Sequence, residues 1–359
     1  MNTKQIHYDI KPILETGSNY YIIFGEKSNG KSYQAKHLCL ENYLKTGKRF
    51  ILLRRWKDDI SQLWCEKYFD DVDVKRLTDG KYTTITCYRK ELFFSNLNDL
   101  GKPIRGEKIG YVIALSREQH MSGGSFLDVN IILFEEFMER GVYISKEPSK
   151  LMTLYSTIDR KKGDTTLIMV GNTITRVNPY LSEWGLQPII RNMKQGDIRT
   201  TIVHNESNDV KLAIEYCKSS GGKTMAIGNA SSMIDKGSWQ SNPQPKLPKS
   251  KKMYKVLWRI GFEYQSFRFL GELLQDKENP KYVCWFIFPT IKEFKDKNLL
   301  IFTDKVSIDK HYQRNIYDLT FKNDNITMIL QTFREGNIFY SDDLTGTDFK
   351  QVIDFSIRR

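Results

Sequence analysis

No stretch of this 359-residue chain approaches the run of about 18 apolar residues that a membrane-crossing helix needs, so nothing in it reads as a span. The opening residues, Met1-Asn2-Thr3-Lys4-Gln5-Ile6-His7-Tyr8-Asp9, lack the apolar core of a secretory signal. The five cysteines, Cys39, Cys65, Cys87, Cys217 and Cys284, are odd in number, widely scattered and never spaced as Cys-x-x-Cys. No such pair suggests a thiolate zinc site, and the cysteines read as reduced cytosolic thiols. Histidines are as few and as dispersed, and there is no internal repeat. Acids are in deficit: 43 Asp and Glu face 55 Lys and Arg, and the net charge of +12 points to a polyanionic partner such as nucleic acid. A hydrophobic fraction of 40% and an aromatic fraction of 13% can fill packed cores, and the length suits two domains.

Residues Gly25-Glu26-Lys27-Ser28-Asn29-Gly30-Lys31-Ser32 form a glycine-bounded run ending in Lys-Ser. Tyr20-Tyr21-Ile22-Ile23-Phe24 before it reads as a buried strand. Lys31 to Lys45 after it has helical spacing (Tyr33, Leu38, Leu40, Leu44) and stops before Gly47. Strand, loop and helix in that order make a phosphate-binding loop. Backbone N–H groups and the helix N-terminus cradle phosphate oxygens, Lys31 reaches the terminal phosphates, and Ser32 ligates Mg²⁺. The expectation is a site for ATP and Mg²⁺; the alternative is a glycine turn with a surface lysine.

Further along, Arg49 to Arg55 reads as a second strand with a basic end, and Asp58 to Phe69 as a helix. Tyr82–Tyr88 and Glu91–Ser95 suggest a hairpin. Ile109–Leu115, Val129–Phe134 and Thr165–Val170 read as buried strands, with a helix over Pro148–Arg160. Continuous apolar strands alternating with helices imply a mainly parallel sheet covered on both faces. Ser207–Ser219 reads as a polar helix, and Asn242 to Lys252, rich in proline and lysine, as a linker. Beyond it, Val256–Ile260, Phe262–Leu270, Tyr282–Phe288 and Leu299–Phe302 read as strands, and Asp309–Tyr317 and Asp324–Arg334 as helices of a second, mixed α/β domain. The expected division is 1–200, a linker region 201–252, and 253–359.

Ile131-Ile132-Leu133-Phe134-Glu135-Glu136 is a Walker B candidate, an apolar strand delivering two carboxylates to the edge where the phosphate loop lies. Glu135 is assigned to the metal, although Asp is usual there, and Glu136 to polarising the attacking water. Arg160 closes the following helix and can project into a neighbouring subunit as an arginine finger, with Arg117 as the second candidate. Complementing the helix macrodipole is the plainer role for Arg160. Asn172, after the last strand, can sense the γ-phosphate or cap a turn. Arg54, Arg55 and Lys57 can touch polymer phosphates or form a solvated basic face.

Taken together, Gly25 to Ser32, Ile131 to Glu136 and Arg160 resemble the additional-strand, catalytic-glutamate branch of P-loop ATPases. More narrowly, they resemble DNA-packaging ATPases of small tailed phages of the φ29 type, relatives of large terminases and FtsK/HerA motors. The resemblance implies a homo-oligomeric ring, a pentamer, docked on the portal of a procapsid in the cytoplasm of an infected bacterium. There ATP hydrolysis with a trans-acting arginine would drive double-stranded DNA inward through backbone contacts, with a structural RNA as a further partner. It also implies that the second domain is RNase H-like. Because Trp258–Glu263 and Phe267–Phe269 carry no Asp where a metal ligand is expected, and Asp304, Asp342 and Asp343 share no spacing, that domain is expected to lack nuclease activity. The competing readings are a helicase, a cutting terminase, a membrane-associated assembly ATPase and a nucleotide-gated DNA binder without turnover.

Overall fold

The computed structural model describes residues 8–121, 126–139, 143–204, 209–221, 231–264, 267–294, 299–303, 312–313 and 331–357. Chain contacts divide it into two compact units, the first made of Met1–Ile174 with Arg191–Ser238 and the second of Thr175–Ile190 with Trp239–Arg359.

The first unit is built on β1 (Tyr20–Gly25), β2 (Arg49–Arg54), β3 (Thr84–Tyr88), β4 (Glu91–Leu97), β5 (Pro103–Ala114), β6 (Val129–Glu135), β7 (Thr166–Asn172), β8 (Ile198–His204) and β9 (Asp209–Tyr216). Their order in the sheet is β3-β4-β5-β2-β6-β7-β1-β9-β8. From β5 to β9 every neighbouring pair is parallel, whereas β3, β4 and β8 are antiparallel additions. β1 is buried along its whole length, as are the middles of β2 and β6, because helices cover a parallel sheet on both faces. The helix Lys31–Thr46 ends where Gly47 takes φ 71°, a left-handed cap that glycine adopts without strain. Gly25 pairs with Asn172 in register, which brings the ends of β1 and β7 to one edge.

Several expectations change here. Ser207–Ser219 is not helical in its described part: Asp209–Tyr216 is β9, paired parallel to β1. Val210, Leu212, Ile214 and Tyr216 alternate with Lys211, Ala213 and Glu215, and that period of two outweighs the polar flanks. The boundary at 200 and the linker from 201 give way accordingly, since β8 and β9 complete the first sheet. Asp58–Phe69 is a single 3₁₀ turn, Lys57–Asp59, followed by a short helix, Gln62–Lys67, capped by Ser61.

The second unit carries β10 (Tyr254–Tyr264), β11 (Phe267–Asp276), β12 (Val283–Pro289), β13 (Leu300–Thr303), β14 (Tyr312–Gln313) and β15 (Ile338–Tyr340), in the order β14-β13-β10-β11-β12-β15. The expected strand Phe262–Leu270 is thus shared between β10 and β11. β10, β11 and β12 form an antiparallel meander, and β13 and β14 follow in parallel on the far side of β10, the arrangement of an RNase H-like sheet. The helix Asp343–Ile357 covers it, with Phe349 edge-on to Phe262 and Phe269 at centroid distances of 4.9 and 5.3 Å. Thr175–Ile190 belongs to this unit: Val177 is fully buried in its core and Arg176 Nε donates to Asp348 at 3.0 Å. Of the expected helix Asp309–Tyr317, the described residues Tyr312–Gln313 are strand; most of Asp324–Arg334, like Asp304, lies outside the described residues.

Candidate active site

At the shared edge, β1 runs into the loop Glu26–Gly30 and the helix that starts at Lys31. The loop turns on two left-handed residues, Ser28 at φ 63° and Gly30 at φ 99°. Gly25 has no room for a side chain, since a Cβ there would lie 2.9 Å from the Cβ of Cys217. Glu26 is buried and accepts from the backbone N–H of Ser220 at 2.7 Å and from the Ser219 hydroxyl. Only Lys27 and Ser28 of the loop are exposed.

Lys31 is 4% exposed, and burial pushes its ammonium below the usual lysine range. It donates to the Glu26 carbonyl, to Asn29 Oδ1 at 3.0 Å and to Asn172 Oδ1 at 3.5 Å. Asn29 is also buried, and its Nδ2 finds no hydrogen-bond partner among the described residues. An ammonium resting on the loop's own acceptors beside an idle amide donor suits an arriving phosphate, which would take both.

Ser32 Oγ donates to Glu135 Oε2 at 2.9 Å, so the two groups assigned to Mg²⁺ meet. The other carboxylate oxygen accepts from the Tyr68 hydroxyl at 2.6 Å. Burial raises the Glu135 carboxyl above the usual range, and the hydrogen bonds from Tyr68 and Ser32 oppose that rise. Hard oxygen donors held this close fit Mg²⁺. Tyr68, just past the short helix Gln62–Lys67, was not visible as a site residue in the sequence, because no motif marks it.

Glu136 follows at φ 55°, a left-handed backbone that swings its side chain away from the strand line. Its carboxylate is half exposed and pairs with Arg54 Nη2 at 2.8 Å. Arg54 lies over Trp64, 5.1 Å from the ring centre, and stands 3.6 Å from Asp59. Arg54 therefore serves the acid cluster.

Arg55 corrects the expectation more strongly. Its side chain is 2% exposed; Nε donates to both oxygens of the fully buried Glu147 at 3.0 and 2.9 Å, and its other nitrogens donate to the Glu136 and Phe137 carbonyls. A guanidinium so enclosed ties β2 to the strand end and the start of the next helix; it does not reach a polymer. Lys57 alone of that trio is exposed.

Arg160 caps the helix Glu147–Asp159 at φ 46°, is exposed, and donates from Nε to the Thr157 carbonyl at 3.4 Å. That helix runs back from the loop edge, and β7 begins only six residues later. Arg160 thus lies at the opposite edge, about 20 Å of strand from its own phosphate loop. Arg117 is exposed in the short 3₁₀ segment after β5, on the loop edge.

The second unit shows no comparable cluster. Among the described residues no three His, Cys, Asp or Glu side chains gather as metal ligands. Asp342 caps the last helix through Thr345, and Asp343 pairs with Lys246 at 2.7 Å.

Residues 2–235 match the family described as Podovirus DNA encapsidation protein (Gp16). The chain belongs to this family. Among similar proteins, the DNA packaging protein of Bacillus phage phi29 is 27% identical over 188 residues, 52% of this chain and 52% of that protein. That of Bacillus phage B103 is 27% identical over 171 residues, 47% and 48% of the two chains. The chain spans about half the length of the curated relatives it matches. In fold it is similar to a chain of the bacteriophage Phi-29 viral genome packaging motor assembly, at TM-score 0.61 and 18% identity over 98% of this chain and 99% of that one. It is also similar to the Phi-28 gp11 DNA packaging motor, at TM-score 0.50 and 14% identity over 97% and 98%.

Proposed function

We propose that this chain is an ATP-hydrolysing subunit of a phage packaging motor that moves double-stranded DNA into a procapsid. The observation that carries the reading is the convergence of Lys31, Ser32, Asn172, Glu135 and Glu136 on one sheet edge. The loop from Gly25 to Ser32 would hold the phosphates of ATP, and Ser32 and Glu135 would hold Mg²⁺, which supplies charge neutralisation on the phosphates. Lys31 exchanges its loop acceptors for phosphate oxygens. Glu136, once released from Arg54, takes the proton of the attacking water. Asn172 contacts Lys31 and stands where a terminal phosphate would be felt.

Arg160 lies at the sheet edge opposite its own candidate site, which supports a trans role in a homo-oligomeric ring, read as a pentamer. Portal, procapsid and a structural RNA are the further partners of this reading, and the infected cell's cytoplasm its place of action. Among the described residues no helix is long and apolar enough to cross a membrane.

The test is steady-state ATP hydrolysis by wild-type and Glu136→Gln protein, each with and without long duplex DNA. Turnover that rises with duplex and vanishes in the variant is the expected result. Turnover indifferent to DNA, or surviving in the variant, would overturn the motor reading.

A further inference from the structure

We propose that the turn joining β3 to β4, with Arg105 beside it, is a contact surface for the phosphate backbone of duplex DNA. The inference rests on the translocase reading and gives that activity a place of contact on this chain. Tyr88 pairs with Glu91, so Arg89 and Lys90 are the two central residues of a tight hairpin turn, at φ 49° and 65°. Turns of this type favour Asn-Gly, because side chains with a Cβ are strained where φ is positive. Here both strained positions carry long cations. Both side chains are exposed.

Charge is gathered at this turn and left uncompensated. The Arg105 guanidinium lies 4.1 Å from the centre of the Tyr88 ring and that of Arg89 lies 5.3 Å from it, so two like charges share one ring that is 42% exposed. Among the described residues no carboxylate comes within ion-pairing distance of Arg89, Lys90 or Arg105. On the same hairpins Lys81 and Lys108 do have partners, Glu107 at 2.5 Å and Glu91 at 3.0 Å. Self-repulsion of this kind is offset when a polyanion supplies the counter-charge and releases its own counterions.

The position fits a polymer better than a small anion. The cations are spread along an exposed sheet surface. The turn is tied to β5 by Val112 N–H donating to the Lys90 carbonyl at 2.8 Å. Beyond β5, the Ser116 hydroxyl accepts from the Lys57 N–H at 3.2 Å. Exposed Lys57 and the turn therefore lie along the edge that also presents the phosphate loop and Glu136. Contacts of guanidinium and ammonium to phosphates carry no sequence information, as a motor passing any sequence requires.

The experiment is duplex-DNA binding by fluorescence anisotropy across a salt series. It compares the wild-type chain, Arg89→Asn/Lys90→Gly, Arg105→Gln, and a control, Lys11→Gln/Lys45→Gln, which removes two exposed cations elsewhere. Arg89→Asn/Lys90→Gly restores the residues such a turn favours, so its thermal midpoint should not fall and unfolding cannot explain lost binding. Both turn-region variants should bind on the order of 10-fold more weakly at low salt. The slope of log affinity against log salt should flatten by about one per cation removed, while the control keeps the wild-type slope. Equal slopes in the variants and a DNA-binding wild type, or an equal loss in the control, would overturn the turn as the contact. A wild type that binds no duplex would instead remove the translocase reading beneath it.

Discussion

The hydroxyl of Tyr68 donates to Glu135 across 67 residues of sequence, at 2.6 Å, on the carboxylate oxygen that Ser32 does not use. Glutamate is one methylene longer than the aspartate usual at the end of such a strand and has one more rotor to fix. Tyr68 and Ser32 fix it from both sides, leaving the carboxylate aimed at the serine hydroxyl.

Tyr68→Phe should therefore loosen the carboxylate proposed to hold the metal without emptying the proposed nucleotide site. One hydrogen bond to a charged group contributes about 1.5 kcal/mol or more, which is about 10-fold in metal affinity. Mn²⁺ titration in the presence of ATP should show that weakening, and nucleotide affinity without divalent metal should stay as in the wild type. Unchanged Mn²⁺ affinity would remove the positioning role.

Glu135 also sets a pH dependence. Its folded carboxyl is raised by burial, so the metal-free protein loses stability as pH climbs from the ordinary glutamate range through the raised value. Glu135→Gln should then unfold at a higher temperature than wild type at pH 8 in chelator, and the gap should close near pH 4. A gap that widens on acidification would contradict the sign.

Arg160→Ala should fold and bind ATP yet lose turnover by on the order of 10³. Mixing it with Glu136→Gln should restore part of the activity, because some interfaces then pair an intact glutamate with an intact arginine. No recovery across all mixing ratios would count against action between subunits.

Arg55→Ala tests a structural role against a nucleic-acid one. Removing it strands the carboxylate of Glu147, which is fully buried, and breaking such a pair costs about 3–5 kcal/mol. Denaturant unfolding should show that loss. A normal unfolding midpoint combined with weak DNA binding would return Arg55 to the polymer.

The candidate site was legible where it is contiguous. Gly25 to Ser32 and Ile131 to Glu136 carry strand, turn and chemistry in a few adjacent residues, and the expected apolar strands around them form the sheet. What escaped depends on partners far along the chain. Tyr68 has no local signature, and its role exists only because the end of β6 comes to meet it. Arg54, Arg55 and Lys57 look alike as a basic run, yet buried Glu147 claims one, Glu136 another, and solvent the third. β9 was hidden by polar neighbours, although Leu212, Ile214 and Tyr216 keep the period of a strand. The division of the chain failed for a related reason: Val177 and Arg176 complete a core whose other members come after residue 250.

Because Thr175–Ile190 belongs to the second unit, the backbone crosses between units three times, after Ile174, after Ile190 and after Ser238. The first crossing follows Asn172 by two residues. The last follows Gly237, packed so closely on the phosphate loop that a Cβ there would lie 2.9 Å from the Glu26 nitrogen. Any force passed along the backbone from the second unit therefore enters the first beside both groups that the proposed reading gives to the nucleotide's phosphates. A fragment cut at residue 200 would also lose part of the first sheet: it would strip β9 from β1 and leave the strand that leads into the candidate phosphate loop as a raw sheet edge.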